Sequence, residues 1–243
     1  MPPGTRFYRG RWFIISLYTF SSTQFMDDTG YTLTPEEIRV LGVLIEKSFV
    51  SPDTYPLSIN ALTNGCNQLT ARDPVMTLSE QEVQEAVDRL VALKLVSRRD
   101  QPSGRVAKYE HQLRLRHSLS PSGQAVLAIL LLRGPQTAGE IRQRSERLHR
   151  FDDIAQVETV LEYLGEKNPS MVVDLPRPPG TKEPRYMHLL GGHEMAEAAQ
   201  SGHAAAAATR GGKLAELEAE VGRLREELDA LKSDFQTFRQ QFE

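Results

Sequence analysis

Histidine, cysteine and glycine are the residues of this chain whose spacing could support catalysis or metal binding. None of the six histidines pairs at metal-ligand spacing, and the single cysteine, Cys66, has no second thiol with which to complete a zinc site. His193-Glu194 begins like a zinc-protease motif, but Glu197 stands where the second histidine is required. Gly211-Gly212-Lys213 lacks the rest of a phosphate-binding loop. We therefore predict a protein that is not an enzyme and that uses no cofactor and no metal ion.

Basic side chains are concentrated between Lys94 and Arg116, where seven lysines and arginines accompany only two carboxylates. The whole chain of 243 residues has 29 basic and 32 acidic side chains, and this net charge of −3 argues against a protein that coats nucleic acid nonspecifically. A local basic segment is instead typical of a surface that contacts phosphates. The candidate nucleic-acid-binding residues are Arg98, Arg99, Arg105 and Lys108.

Helix signals place this basic segment in a hairpin that follows three helices. Thr34-Pro35-Glu36-Glu37 combines an N-cap, a first-turn proline and a capping-box glutamate, and an apolar stripe with helical spacing follows it. A second helix is predicted near residues 58–65, and a third begins at the capping box Ser79-Glu80-Gln81-Glu82. Residues 95–99 and 105–113 then flank a Pro/Gly turn and predict two strands. Three helices and a two-stranded wing are the order of a winged helix-turn-helix.

The same order of elements recurs in the second half of the chain. Ser120-Pro121, Thr137 and Asp153 open three further helices, and residues 171–175 and 185–190 predict a second hairpin. Tyr109 and Tyr186 occupy matching places in the two return strands, where they could stack on a base or simply pack as half-buried strand tyrosines. We predict a mainly α fold with small β-hairpins (α+β), built as a tandem repeat with domains at residues 33–118 and 119–191.

Apolar residues at the C-terminus alternate spacings of three and four, which is typical of positions a and d of a coiled coil. The predicted dimerisation residues are Leu214, Leu217, Val221, Leu224, Leu228, Leu231, Phe235 and Phe238. Acidic g positions (Glu220, Glu227, Asp234) and basic e positions (Arg225, Lys232, Arg239) favour a parallel homodimer, although leucine at most a and d positions leaves a trimer possible. Residues 213–243 form this segment, and residues 192–212 form an Ala/Gly linker before it.

Residues 1–32 differ from the rest of the chain because seven of its 17 aromatic side chains lie between Phe7 and Phe25. Their basic and apolar stretches imitate a signal peptide, but no cleavage site follows and the apolar run is too short to span a membrane. We interpret them as a disordered extension of the chain, or as the result of an upstream start codon with Met26 as the natural beginning. One cysteine cannot form an intrachain disulfide, so we expect a cytoplasmic protein with no membrane partner.

Several motifs together resemble one family. They are Glu46-Lys47, Pro52, Tyr55-Pro56-Leu57-Ser58, Cys66-Asn67-Gln68, Asp73-Pro74-Val75-Met76, Leu130-Leu131-Leu132-Arg133-Gly134 and Arg185-Tyr186-Met187-His188-Leu189. Across residues 33–191 the chain looks like the YceH-like family of bacterial proteins. The resemblance implies a tandem winged-helix fold and a biochemical role that is largely unassigned, with no catalytic residues to carry over.

Two functions are compatible with these patterns. The winged-helix order, the basic wing and the dimer favour a DNA-binding transcriptional regulator. The outward face of the third helix opposes DNA binding, because it presents Gln81, Gln84, Glu85 and Asp88 and so brings two carboxylates towards phosphates. In the second repeat Glu158, Thr159 and Glu162 face outward, again with two carboxylates. The alternative is a protein-interaction scaffold that binds no DNA and meets basic partners with these acidic helices.

Overall fold

The computed structural model describes residues 31–100, 106–177, 183–199, 220–228 and 232. The helices whose two ends both lie within these residues are α1 (Pro35–Val50), α2 (Ile59–Cys66), α3 (Glu80–Ala92), α4 (Leu113–His117), α5 (Pro121–Arg133), α6 (Ala138–Arg144) and α7 (Ile154–Gly165). A 3-10 turn lies at Pro52–Thr54. The strands are β1 (Val96–Arg99), β2 (Lys108–His111), β3 (Val172–Leu175) and β4 (Arg185–His188). They form two antiparallel hairpins, so the described chain is mainly helical with an α+β fold, as the sequence predicts.

Side-chain caps fix the starts of six of the seven helices α1–α7. The hydroxyl of Thr34 accepts from the backbone N–H of Glu37, and the Glu37 carboxylate accepts from the N–H of Thr34. The same reciprocal box forms at Ser79 and at Thr137. Each box satisfies two backbone donors that the first helical turn leaves unpaired. The predicted starts of α1, α3 and α6 are therefore confirmed.

The two halves of the chain repeat the same arrangement of elements. α1, α2, α3 and the β1–β2 hairpin are followed by α5, α6, α7 and the β3–β4 hairpin. In the first half Leu57, just before α2, exchanges two backbone hydrogen bonds with Tyr109 at 2.8 and 3.1 Å. In the second half Gln136, just before α6, does the same with Tyr186 at 2.8 and 3.0 Å. Each hairpin thus acquires a short third partner from the segment preceding the second helix of its own half.

Helices α1 and α5 form the centre of the molecule and pack on one another. The sequence predicts a single apolar stripe on α1 at Ile38, Leu41, Ile45 and Phe49, but α1 is buried around its whole circumference from residue 37 to residue 45. The other face of α1 lies against α5, which is itself buried from residue 123 to residue 132. A helix that is buried all round has no polar face to reveal its orientation in the sequence. One apolar core consequently continues through both halves.

Buried arginines hold the loop between α2 and α3. Arg72 is buried and donates to both carboxylate oxygens of Glu46 on α1, at 2.6 and 3.1 Å. Arg39, also buried, donates to the carbonyls of Cys66 and Pro74. Asn67 closes the loop with two hydrogen bonds of 2.8 Å to the backbone of Leu78. These bonds set the position at which α3 begins.

The first hairpin is shorter than the sequence predicts. Its strands are Val96–Arg99 and Lys108–His111, so residue 113 does not belong to the second strand. Leu113 instead begins α4, a single helical turn that packs Leu113 into the core and leaves Arg114, Leu115 and Arg116 exposed. A five-residue helix without a side-chain cap has no periodic signal that separates it from the end of a strand.

The terminal segments are described only in part. Residues 220–228 are helical, and Val221, Leu224 and Leu228 are each about half exposed. The other predicted coiled-coil residues (Leu214, Leu217, Leu231, Phe235 and Phe238), the linker from residue 200 and residues 1–30 lie outside the described residues. Across the described ranges, we find no helix with the length and apolar character needed to cross a bilayer.

Candidate nucleic-acid interface

The register of the first hairpin divides the predicted basic residues between two faces. Arg98 lies opposite Tyr109, and Arg99 lies opposite Lys108. Residues directly opposite one another in an antiparallel pair project from the same face of the sheet, and successive residues alternate. Tyr109 is buried in the core, so Arg98 is on the inner face, beside α3, whereas Arg99 and Lys108 are on the outer face. Arg105 lies outside the described residues.

Arg98 lies at the exposed rim of the inner face. Its Nε donates to Oδ1 of Asp100 at 2.8 Å, and both side chains are mostly exposed. The hydrogen bond and charge of Asp100 raise the pKa of Arg98, with a smaller contribution from Asp88 on α3. Arg98 is therefore between the hairpin and the third helix, rather than beside Arg99.

Arg99 contacts a carboxylate on the outer face. Its guanidinium donates to Oε1 of Glu110 at 2.7 and 2.8 Å, and the same oxygen accepts from the hydroxyl of Ser97 at 3.1 Å. Partial burial raises the pKa of Glu110, but the hydrogen bonds and charge of Arg99, with Ser97, outweigh that effect and bring the pKa below its usual value. Arg99 remains 64% exposed, and exposed ion pairs contribute little to stability, so Arg99 can exchange Glu110 for a phosphate. Lys108 is half-buried and forms no ion pair with any residue that the structure describes.

The outward face of α3 carries the acidic side chains that the sequence predicts there. Glu85 and Asp88 are exposed, and they accept hydrogen bonds of 2.9 and 2.8 Å from Gln81 and Gln84. On α7 the matching residues Glu158, Thr159 and Glu162 are exposed as well. The inner faces of both helices are apolar, with Val83, Val87 and Leu90 buried in α3. The outward surface of the third helix is thus acidic in both halves of this chain.

Sequence reasoning missed part of the basic surface. Arg114 and Arg116 are exposed on α4, and Lys94 is exposed in the turn after α3. Lys94 and Arg116 border a groove of about 490 Å³ between the end of α3, β1 and α4. The sequence signal for these residues was the run of seven basic side chains between Lys94 and Arg116, but only the fold of α4 shows which of them share a surface.

Other candidate residues have structural roles. Cys66 is fully buried, and burial raises the pKa of its thiol to about 12, so the thiol is protonated at neutral pH. Tyr109 is buried, with its backbone bonded to Leu57, which leaves its ring no open face for a base. Tyr186 remains partly exposed in the second hairpin. Among the described residues, no three metal-binding side chains lie close enough together to hold an ion.

Comparison with known proteins places this surface in a family. Residues 33–181, which include both hairpins, match the family described as "Protein of unknown function, DUF480". The chain belongs to this DUF480 family. A UPF0502 protein of Azoarcus sp. (strain BH72) is 69% identical over 218 residues, covering 89% of this chain and 96% of the relative. A UPF0502 protein of Aromatoleum aromaticum is 65% identical over 202 residues, covering 82% and 88%. The predicted membership of a bacterial family without an assigned function is confirmed.

The DUF480 match contains every described residue of the candidate interface. Arg98, Arg99, Lys108 and the α4 arginines lie between residues 33 and 181, whereas the heptad segment lies beyond the match. The basic surface accordingly belongs to the family region of the chain.

Proposed function

We propose that this DUF480 protein is a non-enzymatic, dimeric tandem winged-helix protein that binds duplex DNA as a transcriptional regulator, with the first hairpin as its main contact. Two features support the winged-helix assignment. The order of three helices and a hairpin occurs twice, and each hairpin is bonded to the segment that precedes the second helix of its half. That order is the one used by winged helix-turn-helix proteins.

The basic surface of the first half carries the DNA-binding proposal. Six described cations (Lys94, Arg98, Arg99, Lys108, Arg114 and Arg116) lie on the hairpin, α4 and the turn before β1, and Asp100 and Glu110 are the carboxylates within the same stretch. Phosphate contacts from lysine and arginine provide most of the affinity of a protein for duplex DNA. Arg99 and Lys108 share the outer face of the hairpin, so we assign phosphate contact to them together with Arg105.

The acidic face of α3 limits what kind of binding we expect. Glu85 and Asp88 would repel phosphates if α3 entered the major groove, and base contacts need phosphate contacts beside them. A hairpin-led complex is therefore dominated by backbone contacts and discriminates weakly between sequences. Each phosphate contact adds about −0.9 to the slope of log K against log salt, so about two contacts from each of two protomers give a slope near −4.

Charge reversal tests this proposal. We expect the Arg99→Glu/Arg105→Glu double variant to weaken binding to all duplex sequences alike and to flatten the salt slope, measured by fluorescence anisotropy on random duplexes. The matched control is Arg147→Glu/Arg150→Glu, which makes the same change of charge at exposed arginines outside the hairpin and should leave the slope unchanged. Glu85→Lys/Asp88→Lys should strengthen nonspecific binding. An unchanged slope in the hairpin variant, or no duplex binding at low salt, contradicts DNA binding.

The acidic helix faces favour a second candidate function, a protein-interaction scaffold. Exposed carboxylates on α3 and α7 suit a basic protein partner better than they suit DNA. On this alternative, a lysine-rich probe peptide should bind the purified chain, and Glu85→Lys/Asp88→Lys should abolish that binding. Loss of peptide binding in the Glu85→Lys/Asp88→Lys variant, together with absence of duplex binding by the wild-type chain, would favour the scaffold over the DNA-binding regulator.

Dimerisation through the C-terminal heptads belongs to the same proposal. Val221, Leu224 and Leu228 form a stripe with spacings of three and four on a described helix, and they are about half exposed in the single chain. The guanidinium of Arg223 forms ion pairs with the carboxylates of Glu220 and Glu227 in the same chain, with N–O distances of 2.6 and 3.1 Å. In a parallel pair these two g-position glutamates would instead face the basic e positions of a second copy.

A further inference from the structure

The described part of the chain begins at Tyr31, beside the groove between α3, β1 and α4. The hydroxyl of Tyr31 lies 3.1 Å from Nε2 of His117, the last residue of α4. The carbonyl of Thr32 accepts a hydrogen bond of 3.2 Å from Arg89, in the last turn of α3. Both helices that these two residues contact form walls of the groove. The residues that precede Tyr31 therefore join the described structure next to the groove.

The groove combines apolar surface with cations that have no carboxylate partner. Leu115 of α4 lines it beside two valines and is 79% exposed, although α4 packs on the core through Leu113. Lys94 and Arg116 line it as well, and neither forms an ion pair with any residue that the structure describes. The third cation of the groove, Arg98, already pairs with a carboxylate of its own strand end. Two cations and one leucine thus remain for an acidic, partly apolar occupant.

The residues directly before Tyr31 match these requirements. Residues 26–30, which lie outside the described residues, contain Asp27 and Asp28 and no basic side chain. An extended chain covers at most about 3.6 Å per residue, so Asp28 lies within about 11 Å of Tyr31 and Asp27 within about 14 Å. Burial raises the pKa of Tyr31, and the charge of Arg116 opposes this rise, which places Arg116 within electrostatic range of the tyrosine. Both carboxylates can consequently reach the groove.

We propose that residues 26–30 fold back over the groove of their own chain. Asp27 and Asp28 pair with the two cations, Lys94 and Arg116, that have no carboxylate partner in the described structure. The segment is present whether the chain starts at Met1 or at Met26, so the proposal holds for both starts.

Met26 supplies the apolar part of the same contact. Its unbranched side chain adapts to irregular apolar surfaces, and it covers Leu115 in this arrangement. The carboxylates compete with phosphates for the cations beside α4, so the segment acts as an internal inhibitor of duplex binding. Arg99 and Lys108 stay uncovered on the outer face, and duplex binding is therefore weakened rather than abolished. The inhibition rests on the proposed DNA binding, whereas the docking of the segment does not.

The tether favours this segment over the other occupants of the groove. A segment joined to the chain by a few residues competes at an effective concentration of about a millimolar, whereas DNA or a partner must bind from solution. Phosphates would meet the cations but would leave Leu115 uncovered, because they carry no apolar group. Residues 26–30 of a second copy offer the same side chains, and the mass of a crosslinked product distinguishes them from the segment of the same chain.

A disulfide tests the docking. In the full-length Met26→Cys/Leu115→Cys variant we expect mild oxidation to join the two positions within one chain, at a rate that does not depend on protein concentration. The buried Cys66 does not compete. Met26→Cys/Arg114→Cys is the matched control, because Arg114 is exposed on the same helix without lining the groove, and its crosslink should form about tenfold more slowly. Equal rates for the two pairs overturn the docking, and covalent dimers in place of the bond within one chain assign the groove to a second copy.

Removal of charge tests the ion pairs without touching the cysteines. Asp27→Asn/Asp28→Asn, added to Met26→Cys/Leu115→Cys, should slow the crosslink by about fivefold, because two exposed ion pairs are lost. About 0.5 M salt should slow the parent pair in the same way and leave the Asn variant unaffected. A crosslink that is insensitive to both changes shows that the carboxylates do not hold the segment, which contradicts the pairing.

Duplex affinity tests the inhibition. In the chain without added cysteines, Asp27→Asn/Asp28→Asn should strengthen duplex binding by about fivefold at low salt. Glu146→Gln/Glu166→Gln makes the same change of charge at exposed residues of the second half and should have a much smaller effect. Equal effects of the two variants overturn the inhibition. If no chain binds duplex, the DNA-binding function is wrong, and the disulfide experiment still decides whether the segment docks.

Discussion

At the residue scale, two histidines occupy the same place in the two hairpins and share one environment. His111 lies opposite Val96, and His188 lies opposite Val172. The Nδ1 atom of each is buried without a hydrogen-bond partner in the described structure. Burial lowers the pKa of each imidazole to about 4, because the charged form loses its hydration. Both hairpins therefore fold around a neutral imidazole.

This environment predicts that acid destabilises the fold. An unfolded histidine titrates near its ordinary pKa of about 6.5, so below that pH the unfolded chain binds protons that the folded chain does not. The free energy of unfolding should be greatest near neutral pH, above the unfolded pKa of about 6.5. It should fall by about 2 kcal/mol per histidine between about pH 7 and about pH 5. Denaturant unfolding at the two pH values measures this. His188→Gln should remove its share of the pH dependence, and His193→Gln, at an exposed position, should not. Equal pH dependence in His188→Gln and the wild type would contradict the assignment.

At the element scale, the contact between α1 and α5 depends on Gly42. A Cβ atom at this position would lie 2.9 Å from Cδ2 of Leu132 and 3.1 Å from Cβ of Leu131. We expect Gly42→Val to lower the free energy of unfolding by about 1–3 kcal/mol, because the added atoms must separate two packed helices. Thermal or denaturant unfolding of the full chain provides the measurement.

Gly139 of α6 is the matched control for that substitution. A Cβ atom there would have Oγ1 of Thr137 as its nearest contact, at 3.9 Å, which is open enough for a methyl group. Gly139→Ala should leave stability unchanged or raise it by about 0.5 kcal/mol through the higher helix propensity of alanine. If Gly42→Val proves as mild as Gly139→Ala, α1 and α5 do not pack as closely as the structure places them.

Local signals at this scale were predictable from the sequence, and long-range ones were not. The capping boxes at Thr34, Ser79 and Thr137 involve residues three apart, so the sequence contains both partners of each bond. The candidate site is different, because the face on which Arg98 lies depends on its pairing with Tyr109, eleven residues away, and on the bond between Tyr109 and Leu57. α4 was missed because one helical turn is too short to show a period.

At the scale of the whole molecule, two similar repeats share one core but present different charge. The core continues from α1 through α5, so the two hairpins are held on a single body. Arg98 and Asp174 occupy equivalent edge positions with opposite charge, and the cations of α4 follow only the first hairpin. Binding of an anionic partner is therefore expected at the first hairpin rather than at the second, and a dimer would present two such surfaces.

Dimerisation is the property on which that doubled surface depends. A chain of 27.3 kDa should show about twice this mass in light scattering at micromolar concentration. Leu224→Asp/Leu228→Asp should return it to the monomer mass, because carboxylates replace two seam residues, whereas Glu226→Ala at the outward f position should leave the dimer intact.

Leu224→Cys tests the parallel arrangement of the two helices. Position 224 meets its own copy across a parallel seam, so oxidation should crosslink two chains, while the buried Cys66 does not compete. A wild-type chain of monomer mass contradicts the coiled coil, and a dimer that Leu224→Cys fails to crosslink contradicts its parallel direction.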